Sequence, residues 1–356
     1  MIEMKKTPTI QDVARIANVS TATVSRALSS PERVRADTRE RISEAVRQTG
    51  YTLNQTARSL RQRTARTILV ALPDIRNPFF STILDAIERQ AALRGYGVLV
   101  VNRFSGADAA GRLQDYFRSN RADGLLLLDG SLSQKQLLAL TGEPAHVPLV
   151  VACEEIPASP FHTVKTDNRY AAELATRHLI GLGHRRIGHI LGPAANVLTG
   201  ERETGFSAAL AAAGLERRAE WIFEGNFEMD CGVAAANRFA ALPQRPTAIF
   251  AANDETAIGF LSGLRKHGIA CPQEVSVVGF DDLAVSAHFS PPLTTMRQPR
   301  EALGRLAAEA LIDLIEGERR IRVPLRQVLS SELIVRDSTA CPGGTHTPST
   351  PTLATV

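Results

Sequence analysis

From Thr67 to about residue 295 the chain alternates short, almost uninterrupted apolar runs with longer mixed stretches. The runs are "TILVALP", "GVLVV", "DGLLLL", "VPLVVA", "RIGHILG", "TAIFAA" and "VSVVGF". A strand buried on both faces has no polar side, so it reads as a continuous apolar run. Between the runs lie segments of helical length, among them "PFFSTILDAIERQAALRG" and residues 168–181, 200–213 and 254–267. This alternation requires open parallel sheets with helices on both faces, an α/β body. The chain, at 356 residues, exceeds one ordinary core and has room for two such lobes.

The first 66 residues differ. They carry 13 Lys+Arg against 6 Asp+Glu, a net of +7, while the remaining 290 residues hold 28 basic and 31 acidic residues, a net of −3. A basic head on a mildly acidic body suits a polyanion, although a solvated charged face gives the same balance. Thr9 with Asp12 three residues later has the spacing of a capping box. Ile10, Val13, Ala14 and Ala17 then share one helical face, and Asn18 tolerates the left-handed backbone that ends a helix. Ser20 is placed to cap a second helix, Thr21 to Leu28, and Asp37 with Glu40 opens a third that stops at Gly50. Two short helices joined by a tight turn make a helix-turn-helix. The hydroxyls of "VSTATVSRAL" at the start of the second helix suit phosphates and base edges, and Arg26 lies on its exposed side, within reach of a guanine edge. Plain core packing of a helical hairpin is the competing explanation.

In open α/β sheets, ligands sit beyond the carboxyl ends of the strands. Asp74, Glu154, Asn253 and Asp281 follow strand runs, and Arg202 lies at a helix start after another. Forked donors and acceptors of this kind suit vicinal hydroxyls, and Phe79, Phe80 and Phe227 suit a flat ring or a sugar face. Singly, each is as readily a helix cap or a core ring. Enzyme signatures are missing: the sequence has no GxxxxGK[ST], HExxH or GxSxG. The four cysteines are scattered without a CxxC, so we expect no metal, no cofactor and a reducing compartment. No apolar run is long enough to span a bilayer and no secretory signal is expected, which predicts a cytoplasmic protein without a membrane partner.

The strings "TIQDVARIANVSTATVSRAL" and "TRERISEAVRQTGY" resemble the DNA-binding head of the LacI/GalR family of bacterial transcription regulators, and the likeness runs almost to the end of the chain. "RTILVALPDIRNPFFSTIL" and "PPLTTMRQPR" resemble most its nucleoside-responsive, cytidine-repressor subgroup. The resemblance implies a helix-turn-helix head over residues 1–53, a hinge over 54–66 and a periplasmic-binding-protein-like body over 67–337. In the body, lobe 1 would take about 67–165 and 296–325, and lobe 2 about 166–295 and 326–337. It further implies that Thr21, Ala22 and Arg26 read bases, while Thr9, Ser20, Thr23 and Ser25 meet phosphates or cap helices. Ala57, Arg58, Leu60 and Arg61 would enter the minor groove, Leu60 as a wedge, at a cost of a few kcal/mol of unstacking. Arg202, Asn253 and Asp281 match the family's effector-binding positions, and Phe79 and Phe227 match positions that stack a base. The expected partners are a near-palindromic operator, a nucleoside or pentose effector, and a second copy of the chain. Residues 338–356, rich in Pro, Thr and Gly, are expected to be disordered and to add no tetramerising coil.

Overall fold

The computed structural model describes residues 8–29, 31–51, 64–102, 109–130, 132–141, 147–156, 159–317 and 325–343. The chain divides into two compact units, Met1–Ala65 and Arg66–Val356.

The head is a three-helix unit: α1 (Ile10–Ala17), α2 (Thr21–Ser29) and α3 (Ala36–Thr49). The backbone N–H and the hydroxyl of Thr9 both donate to Asp12 Oδ2, at 3.0 and 2.8 Å, fixing the start of α1. Asn18 takes the left-handed conformation, φ 53°, which ends α1 and turns the chain. Ser20 Oγ accepts from Thr23 N at 3.1 Å and so caps α2. Val13, Val24, Ile42 and Ala45 close the small core between the helices.

In the body, β1 (Thr67–Leu72), α4 (Phe79–Leu93), β2 (Gly97–Asn102), α5 (Ala109–Arg118), β3 (Gly124–Leu127), α6 (Gln134–Thr141), β4 (Leu149–Cys153) and β5 (His162–Thr166) build lobe 1. Lobe 2 follows with α7 (Asn168–Gly181), β6 (Ile187–Ile190), α8 (Val197–Ala212), β7 (Ile222–Phe223) and α9 (Met229–Ala240). It continues through β8 (Ala248–Ala251), α10 (Asp254–Lys266), β9 (Ser276–Asp281) and β10 (Thr294–Arg297). The chain then returns to lobe 1 for α11 (Arg300–Glu316) and β11 (Arg326–Leu329), and ends in lobe 2 with β12 (Glu332–Ile334).

The two sheets share one design. Their strand orders are β2-β1-β3-β4-β5-β11 and β7-β6-β8-β9-β10-β12. All neighbours are parallel except β12, which runs antiparallel to β10. In each sheet the order reverses beside the first strand, between β1 and β3 and between β6 and β8. That switch point opens a crevice at the carboxyl ends. Strand β1 is buried along five of its six residues, as its apolar run requires. Helices α7 and α8 approach so closely at Gly205 that a Cβ there would lie 2.0 Å from the Arg169 carbonyl oxygen.

Three expectations need correction. The segment 326–329, assigned to lobe 2, pairs with β5 in the sheet of lobe 1, whereas Met296 and Arg297, assigned to lobe 1, pair with β9 in lobe 2. Both are short strands of mixed polarity, β11 at the edge of its sheet and β10 between β9 and β12, so no apolar run marks their sheet. The tail does not begin at residue 338. Ser338 is fully buried, its Oγ donating to Val277 O at 2.6 Å and accepting from Thr294 N at 2.8 Å. The body reaches at least to Ala340, whose carbonyl meets Ser276 Oγ and His184 Nε2. Residues 344–356 lie outside the described residues.

Candidate functional site

In the head, α2 turns Val24 and Ala27 inward and leaves Thr21, Ala22 and Arg26 exposed. Those three, the expected base readers, therefore share the outer surface of the helix. Thr23 and Ser25 are half-buried beside them. Ser20 and Thr9 serve as helix-end residues through the bonds described above, and their positions leave both exposed. The hinge residues Ala57, Arg58, Leu60 and Arg61 lie outside the described residues.

In the body, the carboxyl ends of the two sheets face one cleft with a cavity of about 830 Å3. All eight residues singled out from the sequence line it: Asp74, Phe79, Phe80, Glu154, Arg202, Phe227, Asn253 and Asp281. They come from both lobes and span more than 200 positions of sequence.

Arg202, one turn before Gly205 on α8, is almost fully buried. Its Nε and Nη2 donate to Asn168 Oδ1 at 3.0 and 2.9 Å, and its Nη1 donates to the Ala252 carbonyl. The guanidinium also lies 3.8 Å from the centroid of the Phe280 ring, a cation–π contact. Burial lowers its pKa, and the charges of Asp281 and Glu154 oppose that shift. Asp281, at the end of β9, sits in a positive-φ conformation (114°) and accepts from Gln298 Nε2 at 2.7 Å. Burial pushes its carboxyl up to about 6, against the pull of Arg202 and Gln298.

Glu154 links the lobes. It follows β4 in lobe 1, and its Oε1 accepts from Asn196 Nδ2 of lobe 2 at 3.1 Å. Its Oε2 accepts from the backbone N–H of Gly130 at 2.7 Å. Burial, then the nearby charge of Asp129, raise Glu154 to about 7.

Asn253, on the cleft wall, is also bonded within the protein. Its oxygen caps α10 by accepting from Thr256 N at 3.0 Å, and its Nδ2 donates to the Phe227 carbonyl at 2.9 Å. It thereby holds Phe227, whose backbone is itself in the left-handed region, φ 70°. The Phe227 ring rests on Gly192, where a Cβ would lie 2.3 Å from two ring carbons. The ring stays half-exposed to the cleft. Phe79 and Phe80 form an edge-to-face pair, centroids 5.1 Å apart, and both also belong to the core of lobe 1. Aromatic surface thus borders the cavity from both lobes.

The profile for bacterial regulatory proteins of the lacI family matches residues 9–54, and that for a periplasmic binding protein-like domain matches residues 176–339. The HTH-type transcriptional repressor CytR of Escherichia coli strain K12 is 37% identical over 337 residues, covering 93% of this chain and 96% of CytR. The chain belongs to the LacI family. Like other LacI-family proteins it is a DNA-binding transcriptional repressor with a helix-turn-helix head and a two-lobed body. The repressor PurR of Vibrio cholerae serotype O1 (strain M66-2) is also 37% identical, over 319 residues, covering 88% of this chain and 94% of PurR. Among solved structures, the lac repressor dimer bound to operator and the anti-inducer ONPF matches with a TM-score of 0.84 and 28% identity, covering 94% of this chain and all of that one. Among the described residues, no helix is long and apolar enough to cross a membrane.

Four residues that line or support this LacI-family cleft escaped sequence reasoning: Asn196 and Gln298 in its wall, and Asn168 and Gly192 behind it. Asn196 follows a strand run and caps α8, a signal equal to that of Asn253. Asn168 and Gly192 act only through a residue distant in sequence. Gln298 follows β10, whose polar "TTMR" does not announce a strand.

Proposed function

We propose that this repressor is a cytoplasmic homodimer whose operator affinity is set by a nucleoside bound in the cleft. Each head would place Thr21, Ala22 and Arg26 in the major groove of one half of a near-palindromic operator, the halves about one DNA turn apart. Residues 54–66 would join the heads to the bodies through the minor groove, with Ala57, Arg58, Leu60 and Arg61 in contact there. Effector binding would shift the population between lobe arrangements and so change how the two hinges meet DNA.

The observation that carries the effector reading is the union, in one cavity, of aromatic surface from both lobes with a polar set around Arg202 and Asp281. A base needs the first and ribose hydroxyls need the second. Its volume suits a ligand of that size. A free pentose is the second reading, because the pair of Asp281 and Gln298 beside Arg202 serves hydroxyls without a base.

Calorimetry with cytidine, adenosine, inosine and ribose in parallel tests this. Tight binding of a nucleoside, lost in Arg202→Ala and weakened in Phe227→Ala, is the expected result. Ribose binding while every nucleoside fails would replace the nucleoside with the pentose. On the DNA side, Arg26→Ala should cost ~1–3 kcal/mol at cognate operator and relax specificity. Equal weakening on cognate and random DNA would move Arg26 to a phosphate.

A further inference from the structure

The cleft is strongly acidic for a site read as binding a nucleoside. Asp129, Glu154 and Asp281 line its buried part, and Asp74, Glu228, Asp230 and Glu255 line it nearer solvent. Against these carboxyl groups stand two guanidiniums, and among the described lining residues there is no lysine or histidine.

Both cations are already engaged. Arg76 is forked onto Asp74, with Nε 3.1 and 3.0 Å from the two carboxylate oxygens and Nη2 at 2.7 Å. Arg202 gives its donors to Asn168 and Ala252. The carboxyl groups also act on one another. Glu255 is raised by burial and then by the charges of Asp281, Glu228 and Asp74.

The helix N-termini beside the cleft are already capped. Helix N-termini are ready anion sites when their first N–H groups are open. Here an asparagine oxygen takes one of those N–H groups at each of three helices: Asn77 accepts from Phe79 N at α4, Asn196 from Leu198 N at α8, and Asn253 from Thr256 N at α10. At α9 the first turn instead carries Glu228 as its cap residue and Asp230, which repel an anion.

We propose that the cleft admits an uncharged effector and rejects its phosphorylated form, so that the repressor distinguishes a nucleoside from the corresponding nucleotide. This rests on the nucleoside reading, but the charge argument applies equally to a pentose and its phosphate. A phosphomonoester brings roughly −1.5 to −2 of charge at neutral pH and acceptor oxygens that need donors. It would meet the like charge of the rim carboxylates, and the two guanidiniums of the cleft already lie against acceptors of the protein itself.

The test is calorimetry on the full chain with three matched pairs: cytidine and cytidine 5′-monophosphate, adenosine and adenosine 5′-monophosphate, ribose and ribose 5-phosphate. In every pair whose parent binds, the phosphorylated member should bind at least ~30-fold more weakly, on the scale of charge repulsion near a protein surface. The ratio should shrink at 0.5 M salt, and again in the rim variant Glu228→Gln/Asp230→Asn. A phosphorylated member binding within threefold of its parent, or binding where its parent does not, would overturn the proposal. So would a large ratio that neither salt nor the rim variant changes, because rejection would then be steric. If ribose binds and no nucleoside does, the nucleoside reading fails while the ribose pair still decides the charge proposal.

Discussion

Arg202 directs two of its N–H groups at a single oxygen, Oδ1 of Asn168, at 3.0 and 2.9 Å. Asn168 is held in turn by its own Nδ2, which donates to the Thr166 carbonyl at 3.1 Å. The arginine proposed to meet the effector is therefore aimed by the first residue of another helix. Asn168→Ala leaves a buried guanidinium with two unanswered donors. It should cost about 1.5–3 kcal/mol in urea unfolding, the range for a hydrogen bond to a charged group. Effector affinity should fall with it. A cost below ~0.5 kcal/mol would mean that Arg202 finds acceptors elsewhere.

The contact between Gly192 and Phe227 supports the aromatic side of the cleft in the same manner. A Cβ on Gly192 would lie 2.3 Å from the ring's Cε1 and Cζ and 2.6 Å from Thr199 Oγ1. The ring cannot keep its place in Gly192→Ala. Its backbone stays fixed by Asn253, so the ring must move into the cavity. Nucleoside affinity should drop at least ~10-fold, or about 1.4 kcal/mol. Phe227→Leu in the same background should recover stability by removing the collision. Unchanged affinity in Gly192→Ala would separate Phe227 from the ligand.

What was legible in the sequence is what local rules decide. The run "TILVAL" has to be a strand buried on both faces, and Asn18 has to turn the head because few other residues accept its backbone. The candidates after strands, from Asp74 to Asp281, converge because the topology of parallel sheets sends every carboxyl end to one side. The rest depends on contacts between lobes or between distant elements. Nothing near Asn168 in sequence announces an arginine 34 positions later. Gly192 looks like any glycine after a strand until the Phe227 ring is set on it. Asn253 was legible as a cap and as a binding residue, and its bonds in the structure are those of a cap that also holds Phe227. The outer strand β11 and the clip at Ser338 carry mixed polarity, so periodicity has nothing to detect.

Glu154 gives the protein a pH dependence of unusual sign. Its carboxyl stands at about 7 in the folded chain, against 4.5 without burial. Below pH 4.5 both folded and unfolded chains hold the proton, and this group adds no dependence. Between 4.5 and 7 the folded chain keeps a proton that the unfolded chain releases, so stability falls as pH rises. Above 7 both are ionised and the full penalty remains. Glu154→Gln should flatten the stability curve between pH 5 and 8 by about 1–3 kcal/mol. It should also lower stability at pH 5, because one of the two donors, Asn196 Nδ2 or Gly130 N–H, loses its oxygen. Urea unfolding at four pH values in that range is the measurement. An equal slope in both proteins would show that Glu154 ionises freely.

The carboxyl-terminal boundary makes the last prediction. Segment 338–340 acts as a clip across β9 and β10. Ser338 bonds Val277 and Thr294, Thr339 Oγ1 meets Thr294 Oγ1 and His178 Nε2, and Ala340 meets Ser276 and His184. Val277, Thr294, Ser276 and His184 are all buried. A chain ending at Asp337 would leave several of their polar groups without partners, at about 1–3 kcal/mol each. Losing even two of them, about 2–6 kcal/mol, should lower the melting temperature by roughly 4–24 °C at about 2–4 °C per kcal/mol. A chain ending at Gly343 should melt with the full-length protein. Thermal unfolding of the two truncations side by side gives the answer. If the shorter one matches full length, Ser338 is an ornament of the body and the boundary at 337 was right.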